Sequence, residues 1–158
     1  MTDKNILKSI SLFSDFSDKE IEKMAALFSD RSFKENEVLI PEQSENRELM
    51  ILLDGSVAVE VGLSLSASAE KMMLTSEDSP GRIIEWSSAI DTTKSGGTAS
   101  ARALKPTKVL VADGQALVSL FKSEKELGYK MMHKILLVIA SRLKDTRLQL
   151  ISMAAQCR

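Results

Sequence analysis

The sequence predicts one mainly β domain, a sandwich or barrel, with helices before the sheets and a long helix after them. Three observations support this fold class: a capped amphipathic segment near the N-terminus, short β-type runs in the middle of the chain, and a return to helical spacing near its end. At 158 residues and 44% hydrophobic content, the chain suits a single core. The predicted division is a helical lead-in over 1–30, a β-roll over 31–112 and C-terminal helices over 114–154.

Ser17-Asp18-Lys19-Glu20 predicts where the first amphipathic helix begins. In a Ser-x-x-Glu capping box, each of the two side chains accepts a hydrogen bond from a backbone N–H at the helix start. The next residues repeat an apolar side chain every three or four positions, which gives the helix one apolar face: Ile21, Met24, Ala25 and Phe28. The apolar residues before the box predict a small packed elbow: Ile10, Leu12, Phe13 and Phe16.

After Asp30 the apolar spacing changes to short β-type runs separated by polar turns. The runs include Phe33 and the segments 38–40, 49–53, 57–61, 71–74, 82–86 and 108–112. Runs at this regular spacing are typical of a sandwich or barrel. We expect the segment 62–70 to be a hairpin loop or a frayed strand end, and a small-residue loop to separate the last two runs.

Two turns contain glycine. Asp54-Gly55 lies between two runs and predicts a tight hairpin over 52–57, because glycine accepts the positive φ of a type I′ turn. Pro80-Gly81 predicts a second turn.

From Gly114 the pattern is helical again, and a long helix is predicted over about 124–153. One set of its residues has the spacing of a coiled-coil seam with one polar member: Met132, Leu136, Ile139, Leu143, Thr146, Leu150 and Met153. This seam predicts a homodimer through the helix. The alternative is a helix packed only on its own β domain, and a second set of residues faces a direction that suits such packing: Met131, Ile135 and Val138.

The order of these elements resembles the cyclic nucleotide-binding domain family, the sensor of catabolite-activator-type transcription factors, kinase regulatory subunits and gated channels. Three segments carry the resemblance: LFSDFSDKEI at 12–21, ILLDGSV at 51–57 and GRIIEWSSAIDTTKSGGTASARA at 81–103. The resemblance extends over about 12–150. It implies a β-jelly-roll (double-stranded β-helix) with N-terminal helices and a long C-terminal helix.

In this family the third segment is a phosphate-binding cassette with a Gly-Glu pair, a short helix and Arg-Ser-Ala or Arg-Thr-Ala. Helix amides and the arginine meet the cyclic phosphate, and the glutamate accepts from a ribose hydroxyl. Position by position, the first pair is Glu85-Trp86 here and the second motif is Gly97-Thr98-Ala99. Both charged anchors are replaced, and Glu85 places a carboxylate near the phosphate. Tight binding of cAMP or cGMP is therefore not expected.

The candidate pocket residues implied by the resemblance are Glu85, Trp86, Ser87, Lys94, Gly97, Thr98 and Ala99. Lys94 either contacts a phosphate as a point charge or is a solvated loop lysine. Trp86, the only tryptophan, can stack on a planar ligand, although we expect it to fill the cavity of the nucleotide. Arg102 is interpreted as part of a surface ion pair.

The charge of the chain is nearly balanced, with 21 basic and 22 acidic residues, which gives no general attraction to nucleic acid or to an anionic membrane. No apolar run suits a signal peptide or a spanning helix. Cys157 is the only cysteine, so an intrachain disulfide is excluded. We expect a soluble cytoplasmic protein that does not bind membranes, and no helix-turn-helix segment precedes Arg158 to bind nucleic acid directly.

No catalytic or cofactor motif is present in the sequence: it has no P-loop, no GxGxxG, no nucleophile elbow and no Cys/His pair. The only histidine, His133, lies on the long helix, where we expect it to be solvated, so neither a metal site nor a cofactor is predicted. Two functions remain. The chain is either a regulatory module that senses a small molecule and signals through its C-terminal helix, or a ligand-free scaffold whose pocket Trp86 closes.

Overall fold

Two four-stranded antiparallel sheets form the body of the protein in a computed structural model, which describes residues 2–62, 71–90, 97 and 99–156. The strands are β1 Phe28–Phe33, β2 Val38–Ile40, β3 Glu48–Asp54, β4 Val57–Gly62, β5 Lys71–Glu77, β6 Ile83–Glu85, β7 Ser100–Ala103 and β8 Thr107–Asp113. One sheet has the order β1-β8-β3-β6 and the other β2-β7-β4-β5. The jelly-roll fold class predicted from the sequence is confirmed.

Helices precede and follow the strands along the chain. They are α1 Lys4–Ser9, α2 Asp18–Ala25, α3 Gly114–Ser123 and α4 Lys125–Gln156, with 3₁₀ turns at Ser11–Phe13 and Ser87–Ala89. The predicted capping box is present, because Ser17 Oγ accepts from the Glu20 N–H while the Glu20 carboxylate accepts from the Ser17 N–H. Glu20 also pairs with Lys130 of α4 at 3.0 Å, so the box joins the lead-in to the long helix.

Replacing Ser17 with alanine is expected to lower the free energy of unfolding by about 1 kcal/mol, because the Glu20 N–H loses its acceptor. For a chain of this size, that loss corresponds to about 2–4 °C in Tm, measured by circular dichroism. Ser119→Ala, at an exposed position within α3, is the control and should leave Tm unchanged. An equal loss of Tm in both variants would contradict the capping role.

Two apolar clusters stabilise the fold. The first lies between the sheets: Leu39, Ile40, Met50, Leu52, Val57, Ile84, Ala101, Ala103, Val109 and Val111. The second joins one sheet to the helices, and its members include Phe13, Phe28, Leu49, Ile51, Leu110, Leu117, Met131 and Ile135. Successive residues of β3 alternate between the clusters, with Met50 in the first and Ile51 in the second. The sheet that contains β3 is thus covered on both faces, which explains the unbroken apolar run at 49–53.

The first amphipathic helix is shorter than predicted. It ends at Ala25, and Phe28, which we expected on its apolar face, begins β1. Phe28 is buried in the same cluster as the helix residues and lies edge-to-face with Phe13, with ring centroids 6.2 Å apart. The apolar spacing therefore reflects a shared core rather than one continuous helix.

The Asp54-Gly55 turn connects the two sheets instead of two paired strands. β3 pairs with β6 and β8, whereas β4 pairs with β5 and β7. The predicted hairpin over 52–57 is therefore wrong, although Gly55 has a positive φ of 112°. The predicted turn at Pro80-Gly81 is confirmed, with φ of 85° at Gly81.

The returning strand predicted at 71–74 is confirmed as part of β5, which extends to Glu77 and pairs with β4. Residues 63–70, the predicted loop between these strands, lie outside the described residues. The small-residue segment includes a strand that we did not predict, β7, whose sequence Ser-Ala-Arg-Ala has little β-type character.

The predicted long helix is confirmed as α4. Three apolar residues in its first half are buried against the rest of the chain: Leu127, Met131 and Ile135. Over the described ranges, no helix combines the length and the apolar content needed to cross a lipid bilayer.

Candidate functional site

A cavity of about 250 Å³ lies between the strands of the roll, the start of the cassette segment and α4. Its apolar lining comes from Ile40, Val59, Leu74, Ile84 and Ala101, and the rest comes from Glu85, Trp86, Ser87, Gly97, Ala99, Ser100 and Arg142. The fold therefore places five of the sequence-predicted pocket residues around one cavity: Glu85, Trp86, Ser87, Gly97 and Ala99. The other two, Lys94 and Thr98, lie outside the described residues.

Glu85 ends β6, and its carboxylate turns back to the 3₁₀ turn that follows. Its Oε1 accepts from the backbone N–H of Ser87 at 2.6 Å and from the Ser87 hydroxyl. Ser87 begins the turn, so this N–H has no acceptor within the turn itself. The chain's own carboxylate therefore holds an amide of the kind that phosphate-binding segments offer to a ligand.

The position of this 3₁₀ turn is set by a close contact with α3. Gly114 is the first residue of α3, and a Cβ there would lie 2.7 Å from the carbonyl carbon of Ser88. Only glycine permits this approach between backbones. Asp113 caps the same helix by accepting from the Ala116 N–H at 2.8 Å. The cassette turn is thus held against a well-anchored helix start.

Trp86 forms one wall of the cavity. The side chain is half-buried and packs partly against the cluster that contains the helices. The expectation that Trp86 fills the nucleotide cavity is wrong, because about 250 Å³ of space remains beside it. An indole at the wall of an open cavity offers a flat surface on which a planar group can stack.

Arg142 of α4 reaches the cavity from the helix side, and we did not predict it as a pocket residue. Its Nη2 donates to the carbonyl oxygens of Ile83 at 3.1 Å and Ile84 at 3.4 Å, and it lies 3.4 Å from Glu77 Oε1. Its Nε is buried and has no acceptor within the described part of the chain. Burial lowers the pKa of the Arg142 guanidinium, while the carboxylates of Glu77 and Glu85 act in the opposite direction.

The periodicity of α4 contains the signal that could have identified Arg142. Met131, Ile135 and Val138 follow a spacing of four and three residues, and the next step of four is Arg142. Met131 and Ile135 are buried against the rest of the chain. A charged residue that continues a buried stripe is directed at the same surface, which here is the roll.

Arg102 of β7 lies on the other face of its sheet from the cavity. It pairs with Glu60 of β4, and its Nη1 donates to Asn36 Oδ1 at 3.1 Å. Its neighbour Ala101 lines the cavity, and successive residues of a strand point to opposite faces. The interpretation of Arg102 as part of an ion pair is confirmed. Its guanidinium is therefore directed away from the cavity.

The side chains that could hold a metal ion are dispersed. Across the described ranges, no group of three or more His, Cys, Asp or Glu residues is arranged to hold one. His133 is exposed on α4 and stacks on Tyr129, with ring centroids 6.3 Å apart. Cys157 lies outside the described residues.

The predicted seam of α4 is mostly exposed to solvent. Four of its members are exposed by 49–67%: Leu136, Leu143, Leu150 and Met153. Met132 and Ile139 are half-buried and pack against the cluster that contains the helices. With about 100° between successive residues, the seam lies about a quarter turn from the stripe that ends in Arg142. The helix thus has two separate surfaces, one on the roll and one in solvent.

Solved structures with similar folds are cyclic nucleotide-binding proteins and transcriptional regulators. A protein from Geobacter metallireducens, described as cyclic nucleotide-binding, has a TM-score of 0.74 and 27% identity over 90% of this chain and 99% of its own. A cyclic nucleotide-binding domain from Methylobacillus flagellatus has a TM-score of 0.76 and 23% identity over 94% of this chain and 80% of its own.

The catabolite activator protein of Thermus thermophilus has a TM-score of 0.69 and 18% identity over 90% of this chain, which spans 62% of that protein. No family model matches the sequence, and no curated protein matches it. The chain is therefore similar to these proteins in structure, and it has the jelly-roll fold of the cyclic nucleotide-binding sensor domains of regulators.

Proposed function

We propose that this chain is a non-catalytic regulatory module that binds a small molecule in the roll cavity and signals through α4. The observation that carries this proposal is a single cavity lined by both the roll and Arg142 of the helix. A ligand that touches both elements binds with different free energies when the helix is docked and when it has moved. The fold also occurs in regulators that respond to nucleotides, such as the c-di-GMP responsive regulator CLP of Xanthomonas campestris.

We propose that the chain does not bind cAMP or cGMP tightly. Gly97 stands where the family's cassette has its arginine, and Arg102 is already paired with Glu60. The Glu85 carboxylate holds the Ser87 amide and adds a negative charge that a cyclic phosphate would meet. The charge-assisted contacts on which tight phosphate binding depends are thus missing from the described cassette residues.

Neither cAMP nor cGMP is expected to raise the Tm of the chain in thermal melting. A ligand at 100 times its dissociation constant adds about 2.7 kcal/mol to the free energy of unfolding. For a chain of this size that is a shift of about 5–10 °C, which is easily measured. A shift of this size with either nucleotide would contradict the proposal about ligand identity but not the proposal of a sensor.

Mass spectrometry of small molecules retained by the purified protein identifies the ligand without assuming its class. A compound that is retained and that raises Tm supports the sensor.

A second candidate function is a ligand-free scaffold for dimerisation, which the exposed seam of α4 favours. Under this function the protein retains no compound and forms a dimer that small molecules do not affect. We include the homodimer through α4 in both proposals, because its seam and its roll contact are different surfaces of the helix.

A further inference from the structure

We infer that Arg142 binds an organic monoanion in the roll cavity, and that this anion competes with the backbone of β6 for the same guanidinium. The inference rests on the proposed function, since it names the ligand class and the switch for that cavity. The expected ligand has one carboxylate attached to a compact and flat apolar body that is smaller than a nucleotide.

The buried Nε of Arg142 is the first reason. Arg142 is the one cation in the described lining of the cavity, and its Nε has no acceptor among the residues that the structure describes. A buried donor without an acceptor costs free energy, which an incoming acceptor recovers. Carboxylates fit a guanidinium especially well because two parallel hydrogen bonds can form.

The nearby carboxylates compensate this positive charge only in part. Glu77 is bonded more closely to Arg82, whose Nε lies 2.7 Å from Glu77 Oε2, than to Arg142 at 3.4 Å. Glu85 is bonded to Ser87 through Oε1 and lines the same cavity. Because the Glu85 charge repels additional negative charge, a monoanion fits the cavity better than a dianion.

The rest of the lining determines the body of the ligand. Ile40, Val59, Leu74 and Ile84 provide apolar walls, and Trp86 provides an aromatic one. The volume of about 250 Å³ is below the range of about 300–1,000 Å³ that drug-sized ligands occupy. The cavity therefore suits a compact aromatic or aliphatic group rather than a dinucleotide.

Anion binding at Arg142 also affects the helix. No α4 residue after Ile135 is buried within the described range, so the second half of α4 depends on polar contacts with the roll. Among the described residues, these contacts include the bonds from Arg142 to β6, the contact of Arg142 with Glu77 at 3.4 Å, and a bond from Gln149 Nε2 to the Leu74 carbonyl at 2.6 Å. A ligand that takes Arg142 removes part of this docking. Ligand binding then weakens the docking of the helix, and docking of the helix weakens ligand binding.

Benzoate and its neutral analogue benzamide test the inference on the full chain. Trp86 is the only tryptophan, so its fluorescence reports directly from the cavity wall. We expect a saturable change of fluorescence with benzoate and a much weaker one with benzamide. In Arg142→Gln the affinity for benzoate should fall about 10- to 100-fold, the range for losing a hydrogen bond to a charged group.

Arg147→Gln is the matched control, because it makes the same substitution at an exposed position of the same helix. Its affinity for benzoate should equal that of the wild type. Arg142→Lys keeps the charge and should retain part of the affinity. If Arg142→Gln does not fold, the contrast between benzoate and benzamide in the wild type and in Arg142→Lys decides the question.

Hydrogen exchange of the amides at 143–156 measures the docking of the helix. Benzoate should accelerate this exchange in the wild type, and Arg142→Gln should show fast exchange without benzoate. A purely structural role for Arg142 also predicts fast exchange in the variant. It does not predict that benzoate accelerates exchange in the wild type.

Three binding results would overturn this inference without, by themselves, overturning the proposed function. Equal binding of benzoate and benzamide, or undiminished benzoate binding by Arg142→Gln, overturns the anion site but leaves the cavity as a ligand site. Absence of benzoate binding also overturns the anion site. If, in addition, the purified protein retains no compound, the sensor itself is overturned and the scaffold remains.

Discussion

Replacing Gly55 with alanine is expected to lower the free energy of unfolding by about 3–5 kcal/mol, a large part of the stability of an ordinary domain. Two costs add. The φ of 112° at Gly55 is strained for any residue with a Cβ, at about 1–3 kcal/mol. A Cβ at this position would also lie 2.6 Å from the Cα of Thr107, and such overpacking costs about 1–3 kcal/mol more.

Thr107 has little freedom to move away from that Cβ. It is buried, its Oγ1 accepts from the Ser56 N–H at 3.3 Å, and its hydroxyl is 2.8 Å from the Lys105 carbonyl oxygen. The contact is therefore between two parts of the backbone that are both held in place. Neither side can relax easily, so we expect both costs to contribute to the loss of about 3–5 kcal/mol.

Urea unfolding measures this effect as a lower midpoint with an unchanged m-value. Gly97→Ala is the matched control, because among the described residues a Cβ there would meet nothing nearer than 3.7 Å. Its midpoint should stay close to that of the wild type. A midpoint in Gly55→Ala no lower than in Gly97→Ala would show that the crossing between sheets has room for a side chain.

Gly55 also shows how far local sequence patterns extend. The Asp-Gly pair predicts a turn with positive φ, and that local property is present. Which strands pair across the turn depends on contacts far apart in the chain, and here β3 and β4 enter different sheets. The same division applies to Phe28, whose apolar character was informative about the core but not about the helix.

The candidate site likewise contains some residues that local sequence predicts and one that it does not. Glu85 and Trp86 line the cavity, and they could be named from the sequence because they lie in one continuous segment that resembles the family's cassette. Arg142 is distant in the sequence and has no motif of its own, so only its place in the helical stripe could have identified it. Cavity volume depends on packing, which explains why Trp86 was expected to fill a space that it only borders.

Replacing Leu143 with aspartate is expected to raise the dissociation constant of the proposed homodimer by at least about 100-fold, because a symmetric seam buries the new charge without a partner on both sides. Leu143 is 49% exposed in the single chain, so the substitution should leave the fold intact. Ile139 is a poorer choice although it is central in the seam. It packs against the chain's own core, and a charge there would also destabilise the monomer.

Sedimentation equilibrium distinguishes the two proposed surfaces of α4. Leu148→Asp is the control, since Leu148 is 56% exposed and lies off the seam. It should leave the dimer unchanged, whereas equal dissociation by both variants would indicate a different interface. A monomeric wild type, or an unchanged mass in Leu143→Asp, would remove the seam hypothesis.

If benzoate loosens the docked helix and thereby weakens the dimer, reciprocity requires the monomeric Leu143→Asp variant to bind benzoate more tightly than the wild type does. Equal benzoate affinity in the two proteins would show that the cavity and the dimer surface, although they share one helix, are not coupled.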